Sequence, residues 1–296
     1  MRKILLASTA LVAMTSVSAM ATDITISGSS ELVLDMGDSA AADQSDFVTE
    51  HDISIGFSNT SDSGITTSMS YGMDDATNNA DDLSVTIAGD FGSISYTGGS
   101  DDHALTARDN EANGTTEERA GTMVGSYTGG LPGFSNQHLT YAMPSIVDNL
   151  GVAITVANNA TDGEAAAYAV TYSTDMISVV YGEVLGHTQT DTHIGVGLNF
   201  GAAGINLARN TNDEAAHDNE ATLIGVTYAV SPEMTLGLEM DKGETGTTSE
   251  DYKMTAFGAS YAIATGLSAS ITSAETDFGS GGTDTNYTSI GLHLSW

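Results

Sequence analysis

The chain has 296 residues, with 39 Asp and Glu against seven Lys and Arg, a formal net charge of -32 and no cysteine. That balance excludes nucleic acid as a partner, because binding it rests on counterions released against Lys and Arg. The lack of cysteine excludes disulfide staples and thiolate metal or redox sites. After the first 20 residues there is no run of about 18 apolar residues, so any membrane crossing has to be made by strands.

At the start, Arg2 and Lys3 precede the apolar stretch ILLASTALVAM and then SVSAMA, in which Ala19 and Ala21 fit the small-x-small cleavage pattern of a secretory signal peptide. Residues 1–21 read as that leader, with the mature chain beginning near Thr22. A signal anchor is the alternative, but it needs a longer apolar run and a stop-transfer flank. Removal of the leader leaves five basic residues against the 39 acidic ones, a net charge of -34. Two classes remain: a secreted acidic β protein acting at a surface or in adhesion without channel activity, and an outer-membrane barrel.

From Thr22 onward, short stretches alternate with period two, the mark of strands with two different faces. The alternation predicts sixteen strands over 22–35, 48–58, 65–73, 82–89, 93–98, 137–143, 150–157, 165–173, 176–184, 193–200, 204–210, 221–230, 234–241, 252–263, 266–274 and 286–296. Helical periodicity is nowhere sustained. Even-numbered connections are short: NTSDSG, GDF, PSIVDN, STD, GAA, SPE and ATG. Odd-numbered ones are long, polar and acidic, among them DDATNNAD, NTNDEAAHDNE and KGETGTTSED. Short turns at one end and long loops at the other describe an up-and-down membrane barrel, whereas a soluble sandwich has no reason to segregate them. The reading is therefore all-β: a sixteen-stranded antiparallel transmembrane β-barrel over 22–296, with short periplasmic turns, long acidic extracellular loops and no second domain.

One parity of each strand is apolar, as in Ile53, Ile55 and Phe57, or Leu236, Leu238 and Met240. The other is Gly, Ser, Thr and Ala with an occasional acid, which suits a water-filled lumen. Near the lower end of each even strand, on the apolar parity, sits an aromatic: Phe57, Phe91, Tyr141, Tyr172, Phe200, Tyr228, Tyr261 and Trp296. These match the aromatic girdle of a membrane interface.

At this point the whole mature chain resembles the Gram-negative general porins. The residues that carry the likeness are the first strand TDITISGSSELVLD, the GDFGSISYTGG stretch before the longest connection, HLTYAMP after it, the late FGASYAIATGLSASIT and an aromatic final residue. The resemblance implies a homotrimer in outer-membrane lipid, passive diffusion of small hydrophilic solutes, and delivery by the outer-membrane assembly machinery, which reads the C-terminal strand. It also implies that the third long connection, 99–136, folds inward as a pore constriction carrying Asp101, Asp102, Arg108, Asp109, Glu111, Glu117, Glu118 and Arg119; a solvated surface loop is the alternative. Family members set a basic wall against that acidic loop, and this chain has none to offer. The lumen wall carries Glu31, His138, Glu239 and His293, so the expectation is a cation-preferring channel.

Gly28 and Ser30 interrupt the apolar parity of the first strand, an expected contact with a neighbouring protomer. Acidic pairs in the loops, Asp74 with Asp75 and Asp81 with Asp82, have the oxygen ligands that Ca²⁺ or Mg²⁺ would take, but no calcium motif is present and diffuse counter-ion binding is the alternative. No cofactor is required. No nucleophile motif or paired acid accompanies His138 or His293, so the chain is read as a channel and not an enzyme.

Overall fold

The computed structural model describes residues 23–39, 42–74, 83–98, 137–159, 163–185, 189–214, 217–245, 250–279 and 284–296. The expected leader and the third long connection lie outside them. Sixteen strands are present. The first six are β1 (Asp23–Ser39), β2 (Ala42–Thr60), β3 (Thr66–Asp74), β4 (Leu83–Gly89), β5 (Gly92–Thr97) and β6 (His138–Ala142). The middle five are β7 (Leu150–Asn159), β8 (Gly163–Ser173), β9 (Ile177–Leu185), β10 (Gln189–Asn199) and β11 (Ala203–Glu214). The last are β12 (His217–Ala229), β13 (Met234–Thr245), β14 (Glu250–Ala264), β15 (Leu267–Phe278) and β16 (Thr285–Ser295).

Each strand pairs antiparallel with its sequence neighbours, and β16 closes on β1, giving one barrel. Closure gives every strand a partner on both sides and removes the sheet edges, which a structure spanning hydrocarbon requires. A two-sheet sandwich is thereby ruled out.

The short turns fall where the sequence places them, and small hydroxyl residues tie them. Thr174 Oγ1 accepts the amides of Met176 at 3.3 Å and Ile177 at 3.0 Å, and Ser231 Oγ accepts those of Glu233 at 3.2 Å and Met234 at 3.1 Å. Such side chains satisfy turn amides that have no strand partner. Gly266 has φ +72° and an added Cβ there would meet the Ser295 carbonyl oxygen, so both conformation and space demand glycine.

At the opposite end the strands run further than the alternation predicts. β1 and β2 continue to Ser39 and from Ala42, and β11 and β12 to Glu214 and from His217, so NTNDEAAHDNE is mostly paired strand rather than loop. Beyond the apolar band both faces meet water. Backbone pairing persists there while the hydrophobic alternation that reveals it disappears.

The two faces have the expected sense. Cross-strand partners share a face, and the outer one carries exposed Ile53, Val85, Ile154, Ile194, Val226 and Leu238. The inner face is less uniformly polar than expected. Val180 and Val184 lie on it, buried with Ala157, Ala167 and Ala169. In β9 both parities are apolar, so alternation alone does not distinguish the two.

At the closing seam Gly28 has a close neighbour within its own chain. Gly28 and Trp296 exchange both backbone hydrogen bonds at 3.1 Å, and the indole lies over the glycine: an added Cβ would sit 2.5 Å from Trp296 Cζ2 and 2.7 Å from the Asp52 carbonyl oxygen. Covering a strand glycine with a cross-strand aromatic is a known means of pinning register. Ser30 likewise finds its partner in its own chain, His51 Nδ1 at 2.7 Å from its hydroxyl.

Candidate functional site

The candidate site is the inner wall. Of the four residues read as lumen wall, all face inward. Glu31 and His293 are directly opposed across the β1–β16 seam, with His293 Nδ1 3.0 Å from Glu31 Oε1. His138 and Glu239 are also inward and are buried.

Register adds carboxylates to this face that were not read as wall residues from sequence: Asp191 lay in a loop, Asp35 and Asp241 at strand ends, and Glu50 and Asp52 inside the second strand. Glu50 stands opposite Glu31, and Asp52 opposite Ser29, whose hydroxyl donates to Asp52 Oδ2 at 3.1 Å. Asp35 accepts the Tyr287 hydroxyl at 2.5 Å. Asp191 takes the Asn212 amide at 2.5 Å, and Asp241 the Tyr252 hydroxyl at 3.0 Å. Three were findable by extending inward parity by one or two steps: Asp35 follows Glu31 by four residues, Asp241 follows Glu239 by two, and Asp191 precedes His193 by two.

Basic residues follow the opposite rule. Among the described residues Arg209, Lys242 and Lys253 are the cations, and all three share the outer face with Leu207, Met240 and Phe257. The described inner wall thus combines Glu31, Asp35, Glu50, Asp52, Asp191, Glu239 and Asp241 with no arginine or lysine. Between these acids run hydroxyl pairs such as Thr86 with Ser95 at 2.9 Å and Thr140 with Thr155 at 2.7 Å. Toward the short turns the wall hollows into a cavity of about 430 Å³ whose lining includes Ser178, Gly197, Asn206, Thr227 and Thr235. Such a surface offers hydrogen bonds to water and small polar solutes along its length.

One constellation was not foreseen. Ser270 Oγ lies 2.8 Å from His293 Nε2, completing a line from Ser270 through His293 to Glu31. Hydrolases use that order of groups, with backbone N–H donors beside the serine to hold an oxyanion. Here Ser270 sits in a regular strand paired on both sides, opposite Ser260 and Gly291. Its neighbourhood of backbone N–H groups is committed to the ladders, and the arrangement is a polar strut across the closing seam.

The expected girdle residues share the outer face or the short turns. Phe91 lies in the turn between β4 and β5, and Tyr141 donates its hydroxyl to the Phe91 carbonyl at 2.7 Å. Tyr172, Phe200, Tyr228, Tyr261 and Trp296 are exposed at the short-turn end, and Phe57 is half-buried beside Ile24. The constriction residues Asp101, Asp102, Arg108, Asp109, Glu111, Glu117, Glu118 and Arg119 lie outside the described residues. So do Asp75, Asp81 and Asp82, while Asp74 ends β3.

With this geometry in hand, known proteins bear on it. No curated protein sequence matches the chain. Among solved structures, the anion-selective porin from Comamonas acidovorans superposes with a TM-score of 0.72 at 12% identity, over 93% of this chain and 100% of that one. Outer-membrane expressed OmpT of Vibrio cholerae does so with a TM-score of 0.73 at 13% identity, over 95% and 99%. A triple mutant of the Rhodopseudomonas blastica porin gives 0.71 at 14% identity, over 93% and 100%. At these identities the likeness is one of fold. The family model for the Gram-negative porin matches residues 7–282, nearly the whole chain, and the chain therefore belongs to the Gram-negative porin family of outer-membrane channels.

Proposed function

We propose that the barrel conducts small hydrophilic solutes passively down their gradients, favours cations, and works as a homotrimer after removal of residues 1–21. The observation that supports the cation preference is the lack of cations on the described inner wall: that wall carries Glu31, Asp35, Glu50, Asp52, Asp191, Glu239 and Asp241, and every described Arg and Lys lies on the outer face, which also bears acids. An ion inside the lumen meets like-signed wall charges whose potentials add, which raises the local concentration of cations. The third long connection adds the same sign, six acids against two arginines, wherever it narrows the pore. The anion-selective porin of Comamonas acidovorans shares the fold, so the barrel as such does not fix the sign, and this reading rests it on the wall charge.

The aromatic ring at the short-turn end fits the periplasmic membrane interface, and the C-terminal strand that it includes is the segment proposed to engage the assembly machinery. Liposomes containing the protein test the reading through osmotic swelling. A neutral hexose should enter readily, and an amino sugar faster than a sugar acid of the same size. Entry of the sugar acid at an equal or higher rate would overturn the cation preference, and no swelling in the hexose would overturn the open channel.

A further inference from the structure

On the inner wall toward the short turns, hydroxyl and amide side chains alternate with glycine in both directions of the sheet. Across β9 to β12 one row of register partners runs Ser178, Gly197, Asn206, Gly225. The next row on the same face, across β10 to β13, runs Asn199, Gly204, Thr227, Gly237. Along the three shared strands the alternation holds as well, Gly197 before Asn199, Gly204 before Asn206 and Gly225 before Thr227. Elsewhere on this wall neighbouring hydroxyls pair across the strands, as Ser54 with Ser70 and Thr140 with Thr155 do. Here Asn206 and Thr227 have glycine on both sides, so the next polar side chain in the row stands two strand spacings away, about 9.6 Å.

Glycine does two things to this surface. It lowers the floor to bare backbone, which makes the cavity of about 430 Å³. It also lets the neighbouring side chains lean in. A Cβ added to Gly197 would meet Ser178 Oγ and lie 3.1 Å from Asn206 Oδ1, and one added to Gly204 would lie 2.7 Å from Thr227 Oγ1. The serine hydroxyl and the asparagine amide thus converge over one glycine from opposite sides. Among the described residues neither of them, nor the Thr227 hydroxyl, has a hydrogen-bond partner. Asn199 accepts the Gly201 amide at 2.9 Å with its side-chain oxygen, which leaves its N–H donors for the lumen. The one charged side chain in the lining is Asp175, exposed in the turn between β8 and β9, and Glu239, next to Gly225 in the first row, lies outside the lining.

We propose that this basin is a binding site for a neutral polyhydroxylated solute of monosaccharide size. Its volume falls in the range of about 300–1,000 Å³ typical of small-molecule pockets. A sugar hydroxyl both donates and accepts hydrogen bonds, as do the Ser and Thr hydroxyls and the Asn amides, so the match needs no charge. The glycine floor lets the C–H face of a sugar ring approach the backbone closely, while hydroxyls at the ring edge reach Ser178, Asn206 and Thr227. An ion finds no counter-charge on that floor. The proposal rests on the reading of the barrel as an open channel for hydrophilic solutes and adds to it a class of solute that is held on the way through.

Single-channel recording of the full-length protein in a planar bilayer tests it, with glucose and, for comparison, triethylene glycol, a neutral solute of similar size with few hydroxyls. Glucose should reduce the KCl conductance with a saturating dependence on its concentration, whereas triethylene glycol should reduce it only in proportion to concentration. Ser178→Ala with Asn206→Ala should raise the half-saturating glucose concentration by about twenty-five-fold, on the order of fivefold for each lost hydrogen bond. Gly197→Ala, which keeps both groups but displaces the Ser178 hydroxyl, should raise it too. Retained mobility of the unheated barrel on a gel shows that each variant is folded, and the comparison of the two solutes in the parent stands without either variant. A glucose effect in the parent that does not saturate, equal saturation by triethylene glycol, or an unchanged half-saturation in the folded double variant would overturn the site while leaving the channel intact. Absence of KCl conductance in the parent would overturn the channel and the site with it.

Discussion

Replacing Gly28 with alanine should weaken the barrel at its closing seam. The new methyl would lie 2.5 Å from Trp296 Cζ2 and 2.7 Å from the Asp52 carbonyl oxygen. The indole can swing aside, being 60% exposed, but the carbonyl belongs to the β1–β2 ladder and cannot follow. Overpacking of this kind costs about 1–3 kcal/mol. Moving the ring disturbs the reciprocal Gly28–Trp296 backbone pair, and two hydrogen bonds at about 0.5–1.5 kcal/mol each bring the total to about 2–6 kcal/mol. Little of this is hydrophobic, since the ring leaves protein for equally apolar lipid. With a urea dependence of about 3 kcal/mol per M, the unfolding midpoint should fall by about 1–2 M. The assay is urea unfolding in phospholipid vesicles, followed by indole fluorescence in the single variant and by gel mobility throughout. In a Trp296→Ala background the ring's share of the cost should vanish, so the two substitutions should be less than additive. A Gly28→Ala variant as stable as the parent, or equally costly with and without the indole, would refute the seam argument.

Three further outcomes are expected. Glu31→Lys should shift the zero-current potential in a salt gradient toward zero, because reversing one wall charge alters the energy of an ion 8 Å away by about 1 kcal/mol even at the dielectric of water; an unchanged potential would detach Glu31 from the conduction path. Tyr252→Phe removes the hydroxyl donated to buried Asp241 and should lower stability by about 1–3 kcal/mol in the same urea assay, the cost of leaving a buried polar partner unsatisfied. Ser270→Ala should leave conductance intact and change no ester hydrolysis by the purified barrel, because the ladders flanking Ser270 leave no oxyanion donors beside it; a serine-dependent esterase activity would contradict this.

Strand number, turn positions and the sense of the two faces were legible because the membrane imposes period-two alternation on every crossing, and because Gly266, Thr174 and Ser231 mark the turns. What alternation does not encode is what lies beyond the apolar band. The outer ends of β1, β2, β11 and β12, four to six residues each, therefore read as loop, and Asp35, Asp191 and Asp241 were missed as wall residues. Val180 and Val184 escaped because β9 is apolar on both parities. The close contact over Gly28 comes from an indole 268 residues further along the same chain, a contact that exists only once the register of β1 against β16 is known.

The central claim is that inner-wall carboxylates, unopposed by any described wall cation, set the sign of ion selectivity. Its most direct test is the zero-current potential across a planar bilayer holding the reconstituted protein, under a tenfold KCl gradient run first around 0.1 M and then toward 1 M, where the screening length falls from about 10 Å to about 3 Å. The predicted result is a potential of cation-selective sign that shrinks as salt rises. A potential of anion-selective sign, or one indifferent to salt, would contradict the account.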